Sequence, residues 1–280
     1  MIELKNIEDK EKLTDGNLVR GSFPQLKNSK IIFRGKGNVL FCEDGVTIED
    51  SVLDFNSNNG LIYLGKSKFS FKLNATVNEN CTLAFGRDNY INGPIRLLLS
   101  EHKNVFIGSN CIFSTDINFR NADAHLIYDI ETMKRINNTK SIFLGDHVWV
   151  GKSAFIAKGT RVSSGSIIGA NSLISNKTVE HNASYGGNPA RKIKEGVFWN
   201  GCCVHQWDDV KTQNSQDYNK FIETYFKDES VDRWIYSYDD GENVLWDDID
   251  AALDSPDIFG RVLYLNELYN NNKKNRFCNN

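Results

Sequence analysis

Residues 142–178 read IFLGDHVWVGKSAFIAKGTRVSSGSIIGANSLISNKT. A branched aliphatic returns every sixth residue, at Leu144, Val150, Ile156, Val162, Ile168 and Ile174. Each is followed by a small residue: Gly145, Gly151, Ala157, Ser163, Gly169 and Ser175. Two places before each aliphatic stand Ile142, Val148, Ala154, Thr160, Ser166 and Ser172. An amphipathic helix repeats near 3.6 residues and a half-buried strand near two. A strict period of six is neither. It marks short parallel strands wound into a solenoid, a parallel β-helix of hexapeptides.

If three hexads make one triangular coil, residues 18 apart stack on one face. The aliphatic and the residue two before it point inward, and the residue between them points outward. Phe143, Trp149, Phe155, Arg161, Ile167 and Leu173 are then outward. Trp149, Ile167 and Tyr185 are expected to form one outward column, with Gly151, Gly169 and Gly187 beside it as the flat floor of a groove. Phe143, Phe155 and Leu173 need cover, and an apolar prism face predicts a homotrimer.

The same phase runs backward through KNVFIGSNCIFSTDINFRNADAH, at Ile107, Phe113, Phe119 and His125. Residues 45–71, GVTIEDSVLDFNSNNGLIYLGKSKFSF, keep short apolar steps punctuated by Gly and Asn, which tolerate the positive φ of tight corners. The four prolines suit a body that needs its backbone donors. The expected organisation is an N-terminal cap segment over 1–29, a mainly β solenoid over 30–197 and an extension over 198–280. Residues 126–140, LIYDIETMKRINNTK, fit no hexad and read as a loop thrown out over a binding face. The extension is acidic, aromatic-rich and mostly helical by pattern, through Trp207, Phe221, Trp234, Tyr236, Trp246 and Tyr264. It is expected to cap the open end of the solenoid, with a frayed tail NNNKKNRFCNN.

The chain has 280 residues, 40% of them hydrophobic, enough for one or two domains. A net charge of −3 argues against nucleic-acid binding. Residues 201–280 carry 16 acidic and 8 basic side chains, a net of −8 that leaves +5 for the rest. The segment MIELKNIEDKEKL lacks a secretory layout, and no run approaches the ~20 apolar residues of a membrane span. Six cysteines without a CxxC pair suggest reduced thiols in a cytoplasmic protein, with Cys111 in phase as a core residue.

Two residues break the bland pattern. His125 occupies a position where the repeat wants an aliphatic, at the root of the extruded loop, and a histidine there suits general-base chemistry near neutral pH. Trp149 is a large outward aromatic, suited to packing or to holding a cofactor arm or sugar. Asp123 is a weak candidate to orient His125. His102, His147, His181 and His205 lack such context. No Ser or Cys nucleophile stands with a paired base, which favours direct transfer.

DAHLIYDIETMKRIN, SIFLGDHVWVGKSAFIAKG and YGGNPARKIK together resemble the hexapeptide-repeat acetyltransferases, which are left-handed β-helices. Within them the chain is most like the O-acetyltransferases of bacterial capsule and lipopolysaccharide sugars, including the polysialic acid O-acetyltransferases. The likeness covers residues 105–197 well and 30–104 loosely. It implies acetyl-CoA as donor, a polysaccharide or sugar hydroxyl as acceptor, and no metal. It assigns His125 as the catalytic histidine and Trp149 as the tryptophan shaping the acetyl-CoA site. Gly151, Gly169 and Ala170 would line that groove, and Lys177, Arg191 and Lys192 would stand at its basic end. Gly151 is also a candidate oxyanion donor. N-acetylation of an amino-sugar nucleotide is the alternative on the same fold. A γ-type carbonic anhydrase lacks its close histidine pair, since His102, His125 and His147 are 23 and 22 apart. A non-enzymatic solenoid is the remaining rival.

Overall fold

The computed structural model describes residues 1–226, 244–271 and 277. Residues 227–243, 272–276 and 278–280 lie outside the described residues, and with them Trp234, Tyr236, Cys278 and most of the tail expected to fray.

The chain winds about seven turns of parallel β-helix with three faces. The first face orders strands Ile2–Leu4, Lys30–Phe33, Val52–Phe55, Leu73–Val77, Ile95–Leu99, Asn118–Arg120, Phe155–Ala157 and Leu173–Ile174. The second face runs from Leu18–Gly21 through Val39–Cys42, Leu61–Leu64, Thr82–Phe85, Val105–Ile107, Ile142–Leu144 and Arg161–Val162 to Thr178–Val179. The third continues from Tyr90–Ile91 through Ile112–Phe113, Trp149–Val150 and Ile167–Ile168 to Ala183–Gly187. Parallel pairing already starts at Leu18, paired with Val39, while Ile2–Leu4 lies antiparallel on Lys30–Phe33.

In the regular coils Phe143 pairs with Arg161, Trp149 with Ile167 and Phe155 with Leu173, 18 residues apart. The earlier coils are wider. Val39 pairs with Leu61, Leu73 with Ile95 and Tyr90 with Ile112, each 22 apart. The extra residues sit at corners. Buried asparagines stitch these wide corners: Asn38 accepts from the Gly60 amide at 2.8 Å, and Asn89 from the Cys111 amide at 2.8 Å. Such groups satisfy backbone that the ladder leaves unpaired. The inside changes too. The wide coils stack phenylalanines, with Phe33 on Phe55 at 4.7 Å, whereas the narrow ones hold Val150, Ile156, Ile168 and Ile174. Cys111 is buried in this core, and burial pushes its thiol well above the ordinary range.

Five expectations are corrected. Tyr185 is buried and points inward, pairing with Ile168 while Ser184 pairs with Ile167. The step from Ile174 to Val179 is five residues, so everything beyond it is shifted by one. Gly186, not Gly187, therefore lies beside Gly169. Phe143 is covered by its own chain, with its ring 5.6 Å from that of Trp246. Of the helices α1 (Asp209–Asn214), α2 (Tyr218–Tyr225), α3 (Trp246–Leu253) and α4 (Ile258–Asn270), the last two lie along the second face, on Leu61, Tyr63, Ala84, Phe106 and Phe143, and not over the open end. Arg261 anchors α4 by donating to the Ser255 and Asn80 carbonyls. The end itself is closed by a hairpin, Ala183–Gly187 antiparallel to Ala190–Glu195. Phe277, expected to fray, is buried between Phe106 and Trp246.

Candidate active site

His125 follows Asn118–Arg120 at the corner between the first and second faces. The phase that predicted an inward side chain stops at Phe119, and His125 is exposed. The corner opens into a hairpin-like loop closed by a Tyr128–Arg135 bridge. Asn137, itself buried, clamps the loop's base. Its Nδ2 donates to the His125 carbonyl at 2.7 Å and to Asp123 Oδ2 at 3.0 Å, and its Oδ1 accepts from the Ile127 amide at 2.9 Å. Arg135 adds a bidentate pair to Glu101 at 2.9 and 2.8 Å. Asp123 does not orient the imidazole. Lys158 bonds its carboxylate at 2.6 Å and, with Asn137, holds it below the usual range. His125 is thus fixed through its backbone, and among the described residues nothing bonds to its ring.

The same loop exposes Leu126, Ile127, Tyr128, Ile130, Met133 and Ile136, an apolar arm with no cover among the described residues.

Trp149 stands on the third face, 42% exposed. In a triangular prism that face is opposite the corner carrying His125, so one chain does not bring the two together. Trp149 is tilted against Trp199 at 6.3 Å. Trp199 in turn stacks on His147 at 3.8 Å with the rings 1° from parallel, and donates from Nε1 to the His147 carbonyl at 3.1 Å. His147, set aside on sequence as a corner residue, is buried and props this aromatic wall. A cleft of about 680 Å³ opens between Tyr90, Ile112 and Trp149 on the third face and a wall of residues 199–203. Nothing in the repeat announces Trp199, because the period has ended before it.

The glycine floor has two causes. A Cβ on Gly151 would come 2.6 Å from the Ala170 amide nitrogen, so packing alone requires glycine there. At Gly169 the nearest atom is 3.3 Å away, and Ala170 is exposed beside it. The basic residues part company. Lys192 is held by Glu180 at 2.7 Å and Glu195 at 2.9 Å, which neutralise it and raise its pKa. Arg191 is exposed on the closing hairpin with no ion pair among the described residues. Lys177 donates to the Ala190 carbonyl at 2.8 Å and lines a recess of about 400 Å³ with Lys140, Arg161 and Asn176. Among the described residues no three His, Cys, Asp or Glu side chains cluster as metal ligands, and no helix is long and apolar enough to cross a membrane.

A parallel three-faced β-helix with a looped-out corner defines the class of hexapeptide-repeat proteins. Comparison narrows it. The chain is 29% identical over 197 residues to the polysialic acid O-acetyltransferase of Neisseria meningitidis, spanning 69% of this chain and 91% of that one. Over 102 residues it is 41% identical to the polysialic acid O-acetyltransferase of Escherichia coli O1:K1 / APEC, covering 36% of this chain and a third of that relative's length, 33%. Among solved structures it is similar to the polySia-specific acetyltransferase NeuO, with a TM-score of 0.63 and 29% identity over 75% of this chain and 93% of that one. The polysialic acid O-acetyltransferase OatWY shares the fold, with a TM-score of 0.55 and 21% identity over 70% and 98%. No family model matches. The fold is that of the left-handed β-helix acetyltransferases, and the chain is similar in sequence and structure to polysialic acid O-acetyltransferases. It is an acetyltransferase.

Proposed function

We propose that the protein moves an acetyl group from acetyl-CoA to a hydroxyl of a bacterial surface polysaccharide, with sialic acid residues as the acceptor. The observation that carries this reading is His125, exposed and held through its backbone carbonyl, with no bond to either ring nitrogen among the described residues. The acceptor class comes from the enzymes it resembles. The imidazole takes the proton of the acceptor hydroxyl as that oxygen bonds to the thioester carbon. The carbon–sulfur bond breaks when the tetrahedral intermediate collapses, and the thiolate leaves to take a proton. Such base assistance is worth about 10²–10⁴-fold.

The active unit is a homotrimer, with His125 of one copy facing Trp149 of the next. Two observations support this. The residues lie on opposite sides of one prism, and the loop beside His125 carries an uncovered apolar arm. The donor runs along Trp149, Gly169 and Ala170. Arg191 is the cation for its phosphates on the same copy, the recess holding Lys177 lies at the His125 corner and would come from the neighbouring copy, and Lys192 is already paired with Glu180 and Glu195. The Gly151 amide already donates to the Ile168 carbonyl at 2.7 Å, so the oxyanion role is not assigned to it. The protein is placed in the cytoplasm, where acetyl-CoA is supplied.

His125→Ala should lower kcat by about 10²–10⁴ with assembly and CoA affinity kept. A variant that turns over at the wild-type rate would remove His125 from the mechanism. Trp149→Ala should raise the KM for acetyl-CoA instead, and an unchanged value would confine Trp149 to packing.

A further inference from the structure

Trp149 sits at a boundary on the third face. On one side it pairs with Ile167, above which lie Gly169 and Gly186. On the other it pairs with Ile112, which pairs with Tyr90. The first side is smooth and narrow. The second is the cleft of about 680 Å³, within the 300–1,000 Å³ typical of ligand sites. Its far wall is built by residues 199–203, the segment after the closing hairpin, which the repeat itself does not require.

The lining is specific in chemistry. Tyr90 is 40% exposed and stands edge-on to Phe69 at 5.1 Å, so a flat apolar platform faces the cleft beside the Trp149–Trp199 pair. Asn92 and Ser114 supply amide and hydroxyl groups between the platforms. Lys68 lies over the Phe69 ring at 5.2 Å with its ammonium in no ion pair among the described residues, while its backbone amide donates to Asp88 at 3.1 Å and that carboxylate also lines the cleft. Aromatic faces spaced by hydrogen-bonding groups fit pyranose rings, whose C–H faces pack as apolar surface while their hydroxyls bond outward. A cation at the edge fits a carboxylate.

We infer that this cleft is the acceptor subsite and takes a glycan chain of at least two residues carrying carboxylates, one ring at Tyr90 and the next at Trp149. This rests on the transferase reading above. The donor then approaches from the glycine side and the acceptor from the aromatic side, meeting at Trp149.

The test uses the whole 280-residue chain, acetyl-CoA, and sialic acid as monomer, dimer and hexamer, with thiol release as readout. Wild-type acceptor KM should fall from monomer to hexamer. Tyr90→Ala, and Cys203→Trp to fill the mouth, should each raise the hexamer KM about tenfold with the acetyl-CoA KM unchanged. Tyr90→Phe keeps the ring and should keep the KM. Cys203 is exposed in the wall, so the hexamer should also slow its alkylation in the wild-type protein, read by mass spectrometry. Unchanged KM in both variants, equal KM for monomer and hexamer, or no protection of Cys203 would overturn the assignment while wild-type turnover leaves the transferase reading standing. Absence of glycan-dependent thiol release in the wild type would remove that reading first, and the cleft assignment with it.

Discussion

The solenoid has two halves that solve one problem differently. Below the extruded loop, coils advance by about 22 residues, turn on buried asparagines and fill their centre with phenylalanine. Above it, coils advance by 18 and fill their centre with valine and isoleucine. Both stack in register, so a β-helix needs aligned strands and not equal corners. Close packing requires glycine in both halves, at Gly151 against the Ala170 amide in the narrow one and at Gly21 against the Cys42 carbonyl in the wide one. The wide half has slack and uses it to carry side features: the aromatic cleft on its third face and helices α3 and α4 on its second. His125 stands at the seam between them.

The comparison breaks most visibly under insertion. One residue added after Gly151 should slip a narrow coil and turn its inward side chains out, with a fall in Tm of more than about 10 °C. One added at Gly45, where nothing lies within 4 Å of a built Cβ, should cost less than about 3 °C. Equal losses would show that the two halves share one tolerance. Core truncation should be graded the same way. Phe113→Ala should cost about 3–5 kcal/mol and Ile168→Val about 0.5–1.5 kcal/mol in denaturant unfolding, since both sites are fully buried and differ in the volume removed.

The smallest effect is in pH. Burial pushes the Glu43 carboxyl up, but Arg87 at 2.6 Å, the Lys66 amide and Tyr63 together hold it below its ordinary value of 4.5. A lowered folded pKa stabilises above the unfolded value and is lost as pH falls through the folded one. Stability should therefore be flat above about pH 5 and decline below about 4.5. Glu43→Gln should flatten that decline, and an unaltered acid limb would place the coupling elsewhere.

What was legible follows from the same contrast. Uniform corners make a period, so residues 142–174 disclosed their inward and outward positions without error. Tyr185 escapes the phase because one corner is a residue short, and the period cannot reveal a deletion until a strand shows its pairing. His125 was found through a phase that had already lapsed. Its position in sequence marked it, yet its side chain points to solvent and its support comes from Asn137, twelve residues on across a loop. Trp199 and the wall on His147 were invisible because they depend on a contact between a corner and a segment 52 residues later, with no repeat to link them. The burial of Phe143 pointed to a partner and found one in the chain's own Trp246.

The most direct measurement mixes two damaged proteins. His125→Ala and Trp149→Ala are each assayed at limiting acetyl-CoA, then unfolded together, refolded and assayed again. If the site is built from His125 of one copy and Trp149 of the next, random reassembly restores intact sites at about a quarter of the interfaces, and activity returns. Activity that stays at the sum of the two variants would contradict a shared site and the transfer mechanism built on it.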